Sequence, residues 1–237
     1  MADRFYCPGP WIDGQARLGT DEARHLSRVR RVEVGDRVAL FDGLGRSAVA
    51  QVREIGREGV KLIIVEETVA DRTPTGAIVL ASAVPKGDRF DWLVEKATEL
   101  GVTRLVPLVT ERSVVDPRSA KLDRLRRLVI EASKQSGRNR LMDVDPPTPL
   151  AAWLGKAVEG VAAHYLADPS GGRLVDDPRP RLVRGIAVMV GPEGGFSEAE
   201  VESAKLAGYR PITLGPTILR VETAALAACV AVLTWAE

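Results

Sequence analysis

Three short segments combine glycine with proline directly after apolar runs, and they hold the residues best suited to grip a small ligand. Residues 161–166 lead into Ala167-Asp168-Pro169-Ser170-Gly171-Gly172, and residues 186–190 into Gly191-Pro192-Glu193-Gly194-Gly195-Phe196. Residues 212–214 lead into Gly215-Pro216-Thr217-Ile218-Leu219-Arg220. Proline fixes φ and removes a donor, while glycine permits positive φ and close approach, so these segments present main-chain N–H and C=O groups in a rigid array. Such an array suits the edge of an adenine ring and the polar groups of a small cofactor. Any one of the three reads equally well as an ordinary tight turn; three in succession favour a ligand site. The string at 191–195 is not the GxGxxG of a dinucleotide fold, and no GxxxxGK[ST] is present to cradle a triphosphate. There is also no GxSxG elbow, no HExxH and no carboxylate cluster suited to a divalent ion, so no metal is expected. A nucleotide-like cofactor with little phosphate remains.

The elements that must position these segments alternate between strand and helix. From residue 77 onward the apolar runs 77–84, 105–109, 161–166, 186–190 and 212–214 are short and do not alternate, as strands buried on both faces should be. Between them the spacing predicts helices over 88–100, with Gly101 as its stop, and over 122–134. Ser197 and Glu200 form a capping box that opens a helix ending at Gly208, and residues 222–235 make a last apolar helix. This is an α/β pattern with a mainly parallel sheet, in which ligands sit at the carboxyl ends of strands. Upstream the pattern is different. Runs 38–41, 47–55 and 60–66, separated by turn signals, suggest a small barrel or compact sheet. Within it, His25, Leu26, Val29 and Val32 recur at helical spacing, predicting a helix over 21–32 capped by Thr20 or Asp21, with Arg24, Arg28 and Arg31 on one stripe. The polar join near residues 71–76 divides the chain into 1–72 and 73–237.

Composition narrows the setting. The chain has 237 residues, of which 45% are hydrophobic and 27% charged, with a net charge of +1, so bulk electrostatics neither demand nor exclude a nucleic acid. The distribution says more, because residues 24–31 carry four arginines and no acid, and residues 118–140 carry eight basic residues against Asp123 and Glu131. Two such blocks read as footprints for a polyanion or as solvated helix faces. Cys7 and Cys229 lie at opposite ends of the sequence with no CxxC, and no apolar stretch is long enough to span a bilayer. A cytoplasmic protein with no membrane partner is expected.

The strings VGPEGGFSEAE (190–200) and LGPTILRVETAAL (214–226) resemble the C-terminal signature of the SPOUT class of S-adenosylmethionine-dependent RNA methyltransferases. More narrowly, the chain resembles the ribosomal small subunit methyltransferase E family, which methylates N3 of a uridine in 16S ribosomal RNA. Arg24-His25-Leu26, Val34-Gly35-Asp36 and Phe41-Asp42-Gly43 match the family's N-terminal RNA-binding barrel. Lys86-Gly87, residues 95–102, Glu131-Ala132 and residues 135–138 match its catalytic domain. The resemblance implies a PUA-like barrel over 1–72, followed by a SPOUT α/β domain over 73–237 tied in a trefoil knot. It also implies a homodimer, with S-adenosylmethionine bent between the three Gly/Pro segments. The cofactor would contact Leu166, Ala167, Val190, Gly191, Pro192, Gly194, Leu214, Gly215, Leu219 and Thr223, with Ile218 and Leu219 reading also as plain core. RNA would be held by Arg24, His25, Arg28, Arg30, Arg31, Lys86 and Arg138, the partner being 16S ribosomal RNA or the small subunit rather than DNA. His25 reads equally as core.

For the chemistry, charge that develops as uracil N3 loses its proton spreads onto O2 and O4, where a cation would stabilise it. Arg220, after the third segment, is the candidate for that role; its other reading is a salt bridge to Glu222 or Glu193. Glu222 would orient Arg220 or act as base. The family pattern usually has arginine where this chain has Thr217 and threonine where it has Val221. A non-catalytic RNA-binding assembly factor and an enzyme acting on a free nucleotide are the alternatives.

Overall fold

The computed structural model describes residues 4–26, 32–68, 76–115, 122–156, 158, 160–177 and 185–236. The chain divides into two compact units, residues 1–73 with 130–141, and residues 74–129 with 142–237.

In the first unit β1 (Arg4–Tyr6), β2 (Gln15–Leu18) and α1 (Thr20–Arg24) precede β3 (Arg37–Phe41), β4 (Ser47–Gly56) and β5 (Gly59–Thr68). They form one curled sheet in the order β1-β3-β4-β5-β2, antiparallel except where β1 joins β3. Alternation along the strands sends Val38, Leu40, Ala48, Ala50, Val52 and Leu62 into one core with Phe5 and Leu18. The sheet's two ends approach each other where the Cys7 thiol donates to the Arg17 carbonyl at 3.3 Å. The β4–β5 hairpin needs Gly59, because φ there is +130° and a Cβ would lie 2.4 Å from the Leu18 carbonyl oxygen.

The helix expected over 21–32 is α-helical only over Thr20–Arg24 among the described residues. Gly19, not Thr20 or Asp21, is its N-cap and supplies no side-chain acceptor. At its end the His25 amide is shared between the Asp21 and Glu22 carbonyls, and His25 and Leu26 continue as a π turn rather than as α-helix. Arg28, Arg30 and Arg31 lie outside the described residues.

Residues 130–141 lock onto this sheet through Arg4. Its guanidinium donates to the Ser133 carbonyl at 3.0 Å, the Arg138 carbonyl at 2.6 Å and the Asn139 side chain, and it stacks 4.4 Å over the Phe41 ring. Lys134 pairs with Glu22 and, at 2.7 Å, with Glu131. Part of the second basic block is therefore internal structure.

The second unit runs β6 (Ile78–Ala83), α2 (Arg89–Glu99), β7 (Arg104–Val109) and α3 (Leu122–Ser136), whose residues from 130 onward group with the first unit. Then come β8 (Asp143–Val144), β9 (Thr148–Pro149), α4 (Leu150–Leu154), β10 (Ala163–Arg173), β11 (Ile186–Val190), α5 (Glu198–Leu206), β12 (Arg210–Thr213) and α6 (Val221–Ala236). The strands pair only in parallel, in the order β12-β10-β11-β6-β7-β8, with β9 also on β7. Every residue of β6 and β11 is buried, as unalternating apolar runs require. One face packs Val79, Ala81, Ala187 and Met189 against Trp153 of α4 and Ala204 of α5. On the other face α6 lies on β6, β11 and α2. Gly101, at φ +87°, closes α2, and the Ser197–Glu200 capping box opens α5 with both reciprocal bonds formed. Among the described residues no helix is long and apolar enough to cross a membrane.

Candidate active site

The parallel register brings the carboxyl ends of β10, β11 and β12 side by side, and the three Gly/Pro segments meet there. The first is not a loop after a finished strand. β10 continues to Arg173, and residues 168–171 bulge out of it: Ala167 and Gly172 both sit opposite Ile212 of β12. Inside the bulge the Asp168 carboxylate accepts from the Ser170 amide at 2.8 Å and its hydroxyl at 2.6 Å. The second segment turns back through a Gly195 N–H bond to the Pro192 carbonyl at 2.8 Å, with Gly195 at φ +69°. The third starts at Gly215, φ +132°, and runs into α6.

Between them is a cleft of about 260 Å³, near the lower end of the ~300–1,000 Å³ usual for ligand pockets. Eight of the ten expected cofactor residues line it: Ala167, Val190, Gly191, Pro192, Gly194, Leu214, Gly215 and Leu219. Leu166 and Thr223 do not. Leu166 is wholly buried in the core beneath the sheet, and Thr223 points to solvent from the first turn of α6. Ile218 and Leu219 were open to a core reading, yet Ile218 is 90% exposed and both line the cleft. Phe196, Val221 and Ala224 add apolar wall, while Asp168, Glu193, Thr213 and Thr217 add polar groups; sequence reasoning had named none of these as contacts. Their signal was present, since Asp168, Glu193, Phe196 and Thr217 belong to the three segments. Gly191 is sterically required, because a Cβ there would meet the Phe196 ring at 2.9 Å.

Arg220 follows the cleft-lining Leu219 and is exposed, and its carbonyl accepts the first bond of α6 from Ala224 at 2.8 Å. The partner of Glu222 is Arg89, at the start of α2, at 3.6 Å, rather than Arg220. Glu222 is 7% exposed, and its second oxygen is buried with no hydrogen-bond partner. A carboxylate left this way carries a desolvation cost that a ligand donor would relieve. Arg89 was missed, although it follows the end of β6 as the other site residues follow theirs.

Of the expected RNA contacts, Arg24 and Lys86 are exposed. His25 is half-buried, edge-on to the Phe5 ring at 6.1 Å. Arg138 is 4% exposed and offers no surface to a phosphate; it is part of the internal arrangement around Arg4.

Residues 71–233 match the family model of an RNA methyltransferase domain, and residues 18–65 that of an RNA methyltransferase PUA domain. The class of protein is thereby defined: a PUA module joined to an α/β RNA methyltransferase domain. The Synechocystis ribosomal RNA small subunit methyltransferase E is 34% identical, over 92% of this chain and 72% of its own length. The Bacillus subtilis protein of the same name is 32% identical, over 90% and 87%. Among solved structures, the Neisseria gonorrhoeae ribosomal RNA small subunit methyltransferase E bound to S-adenosylmethionine is 34% identical, with a TM-score of 0.89 over 99% of this chain and 98% of its own. A Legionella pneumophila structure in complex with the same cofactor is 30% identical, again with a TM-score of 0.89 over 99% and 98%. The chain belongs to the ribosomal RNA small subunit methyltransferase E family.

Proposed function

We propose that this chain transfers a methyl group from S-adenosylmethionine to N3 of a uridine in 16S ribosomal RNA. The observation that carries the reading is the cleft at the ends of β10, β11 and β12, present in a chain whose relatives at 30–34% identity hold S-adenosylmethionine. The lining fits that cofactor. Val190, Phe196, Leu214 and Leu219 supply apolar surface for a purine, the glycine backbones at 191, 194 and 215 let main-chain groups approach its edge, and Asp168 and Glu193 offer acceptors for hydroxyl and ammonium groups. Bound there, the cofactor supplies an electrophilic sulfonium methyl.

The protein's own residues have two remaining tasks, alignment and removal of the N3 proton. N3 takes part in base pairing, so the target base must be unpaired when it enters. Arg220, which directly follows the cleft-lining Leu219, would stabilise charge on O2 or O4. Glu222, held by Arg89, has one buried oxygen with no hydrogen-bond partner, which would accept a proton or a hydrogen bond once the substrate reaches it. A formed cofactor cleft does not favour a non-catalytic assembly factor.

The same reading extends to organisation. Residues 1–72, with 130–141 grouped on them, act as the RNA-binding module and the rest of 73–237 as the transferase, in a cytoplasmic protein acting on the small-subunit RNA. A knotted C-terminal path is supported by strand order, because β11 is inserted between β6 and β10 while α6 returns from edge strand β12 to cover β6 and β11. A homodimer is supported by exposed apolar surface at Val230 of α6 and at Val175 and Ile218. Light scattering should give twice the 25.6 kDa chain mass; a monomer at micromolar concentration refutes the dimer. The activity itself is tested by incubating small-subunit RNA with labelled S-adenosylmethionine and analysing the nucleosides. Label in 3-methyluridine is expected, and label only in another nucleoside, or none, overturns the assignment.

A further inference from the structure

Arg112 lies outside the three segments but grips one of them. It follows the carboxyl end of β7, and its terminal nitrogen donates to the Gly194 carbonyl at 2.9 Å and to the Phe196 carbonyl at 3.4 Å. Both acceptors belong to cleft-lining residues. Its aliphatic stem also fills the space beside Gly194, where a Cβ would contact Arg112 Cβ and Cδ at 3.5 Å.

A second tie runs the opposite way. Glu200 of α5 accepts from the Glu111 amide at 2.8 Å with one oxygen and from the Ser197 amide at 2.9 Å with the other. One carboxylate therefore serves both the α5 capping box and the segment after β7. The two ties carry opposite polarity: a cation on one backbone takes carbonyls from the cleft segment, and an anion at its far end takes amides from both.

We infer that Arg112 is a positioning residue for cofactor binding: it latches the 191–196 segment in the conformation that receives S-adenosylmethionine. The inference rests on the function proposed above. A segment of six residues with three glycines loses much backbone entropy on ordering. A guanidinium held by two of its carbonyls has met that cost before the cofactor arrives, so the gain appears in affinity. The methyl-transfer step itself involves no contact with Arg112.

Calorimetric titration with S-adenosylmethionine, alongside steady-state kinetics on small-subunit RNA, tests the latch in Arg112→Ala and Arg112→Lys. Arg112→Ala should weaken cofactor affinity roughly tenfold or more, the scale for losing charge-assisted hydrogen bonds. The KM for the cofactor should rise in step, while kcat at saturating cofactor and the KM for RNA stay near wild type. Lysine, a point donor that cannot reproduce the fork, should fall between the two. Should the alanine variant fail to fold, the lysine variant carries the test. Wild-type cofactor affinity in either folded variant overturns the latch, as does a fall in kcat with cofactor KM unchanged. Absence of cofactor binding by the wild-type chain would instead overturn the proposed function beneath it.

Discussion

Gly171 ends the β10 bulge and Gly172 resumes the strand, and alanine should be costly at the first and nearly neutral at the second. At Gly171 an added Cβ would sit 2.4 Å from the Ile212 nitrogen, 2.5 Å from the Pro211 carbonyl carbon and 2.6 Å from the Ile212 carbonyl carbon. Ordinary contact between such atoms is about 3.5–4.0 Å, so the strands must separate by about 1 Å at this point. The obstacle is backbone of a paired strand, which has no rotamer to escape into. Overpacking of this kind costs about 1–3 kcal/mol, and disturbing the adjacent Gly172–Ile212 and Arg173–Thr213 pairing adds about 1 kcal/mol per lost bond. A total near 3 kcal/mol corresponds to a fall in melting temperature of roughly 6–12 °C for a chain of this size. At Gly172 nothing lies within 4 Å of the added atom and φ is not positive, so Gly172→Ala should change stability by less than about 0.5 kcal/mol. Thermal unfolding followed by circular dichroism compares the pair. A Gly171→Ala variant melting within about 2 °C of wild type, or equal losses in both variants, would refute the close-approach argument. Because the bulge carries Asp168 and Pro169 into the cleft, Gly171→Ala should also weaken S-adenosylmethionine binding, and Gly172→Ala should not.

Arg220→Ala should lower the single-turnover methylation rate on the order of a hundredfold, with RNA and cofactor affinity nearly intact. Loss of RNA binding with the rate preserved would make Arg220 a phosphate clamp instead. Removing the cation from the buried Glu222 by Arg89→Ala should destabilise the fold by about 1–2 kcal/mol, discounted for the half-exposed arginine, and reduce the rate, with Arg89→Lys restoring part of both. Unchanged denaturation and kinetics in the alanine variant would remove Arg89 from the site. His164, edge-on to Tyr209 at 5.1 Å, has its pKa pushed below 6.5 by burial. As pH falls through 6.5 the unfolded chain takes up a proton that the folded chain resists, so stability present at neutral pH is lost towards acid. Denaturant titrations at several pH values should show that loss flattened in His164→Phe; an identical acid slope counts against the assignment.

The parts of this molecule that were legible in the sequence are those set by local pattern. The buried runs of β6 and β11, the Gly101 stop and the Ser197–Glu200 box each depend on a few adjacent residues, and each appears where the pattern puts it. The bulge at 168–171 was not legible, because it exists only through pairing with Ile212, some forty residues away in sequence. Arg138 was misplaced for a similar reason: a basic run looks like a solvated face until Arg4, far upstream, closes over its carbonyl. Arg89 and Arg112 could have been found. Both follow the carboxyl end of a buried strand, β6 and β7, the same position in the sheet that the three Gly/Pro segments occupy after β10, β11 and β12.

The placement of β11 between β6 and β10 also sets an order of events as the chain is made. Ile186 must find Ile78 across more than a hundred intervening residues, and Ala163 on its other side has no such strand to rest on until then. On the side that carries β11, β10 and β12 the sheet therefore cannot be zipped outward from β6 in sequence order. While synthesis proceeds, β6 keeps an open edge that is apolar but for Ser82, a template for pairing with other chains. Closure of the gap by five residues, all of them buried in the finished protein, is a long-range step of the kind that makes folding slow. The newly made chain should accordingly be most prone to aggregate between the emergence of β6 and the arrival of β11, and chaperone dependence should be concentrated in that interval.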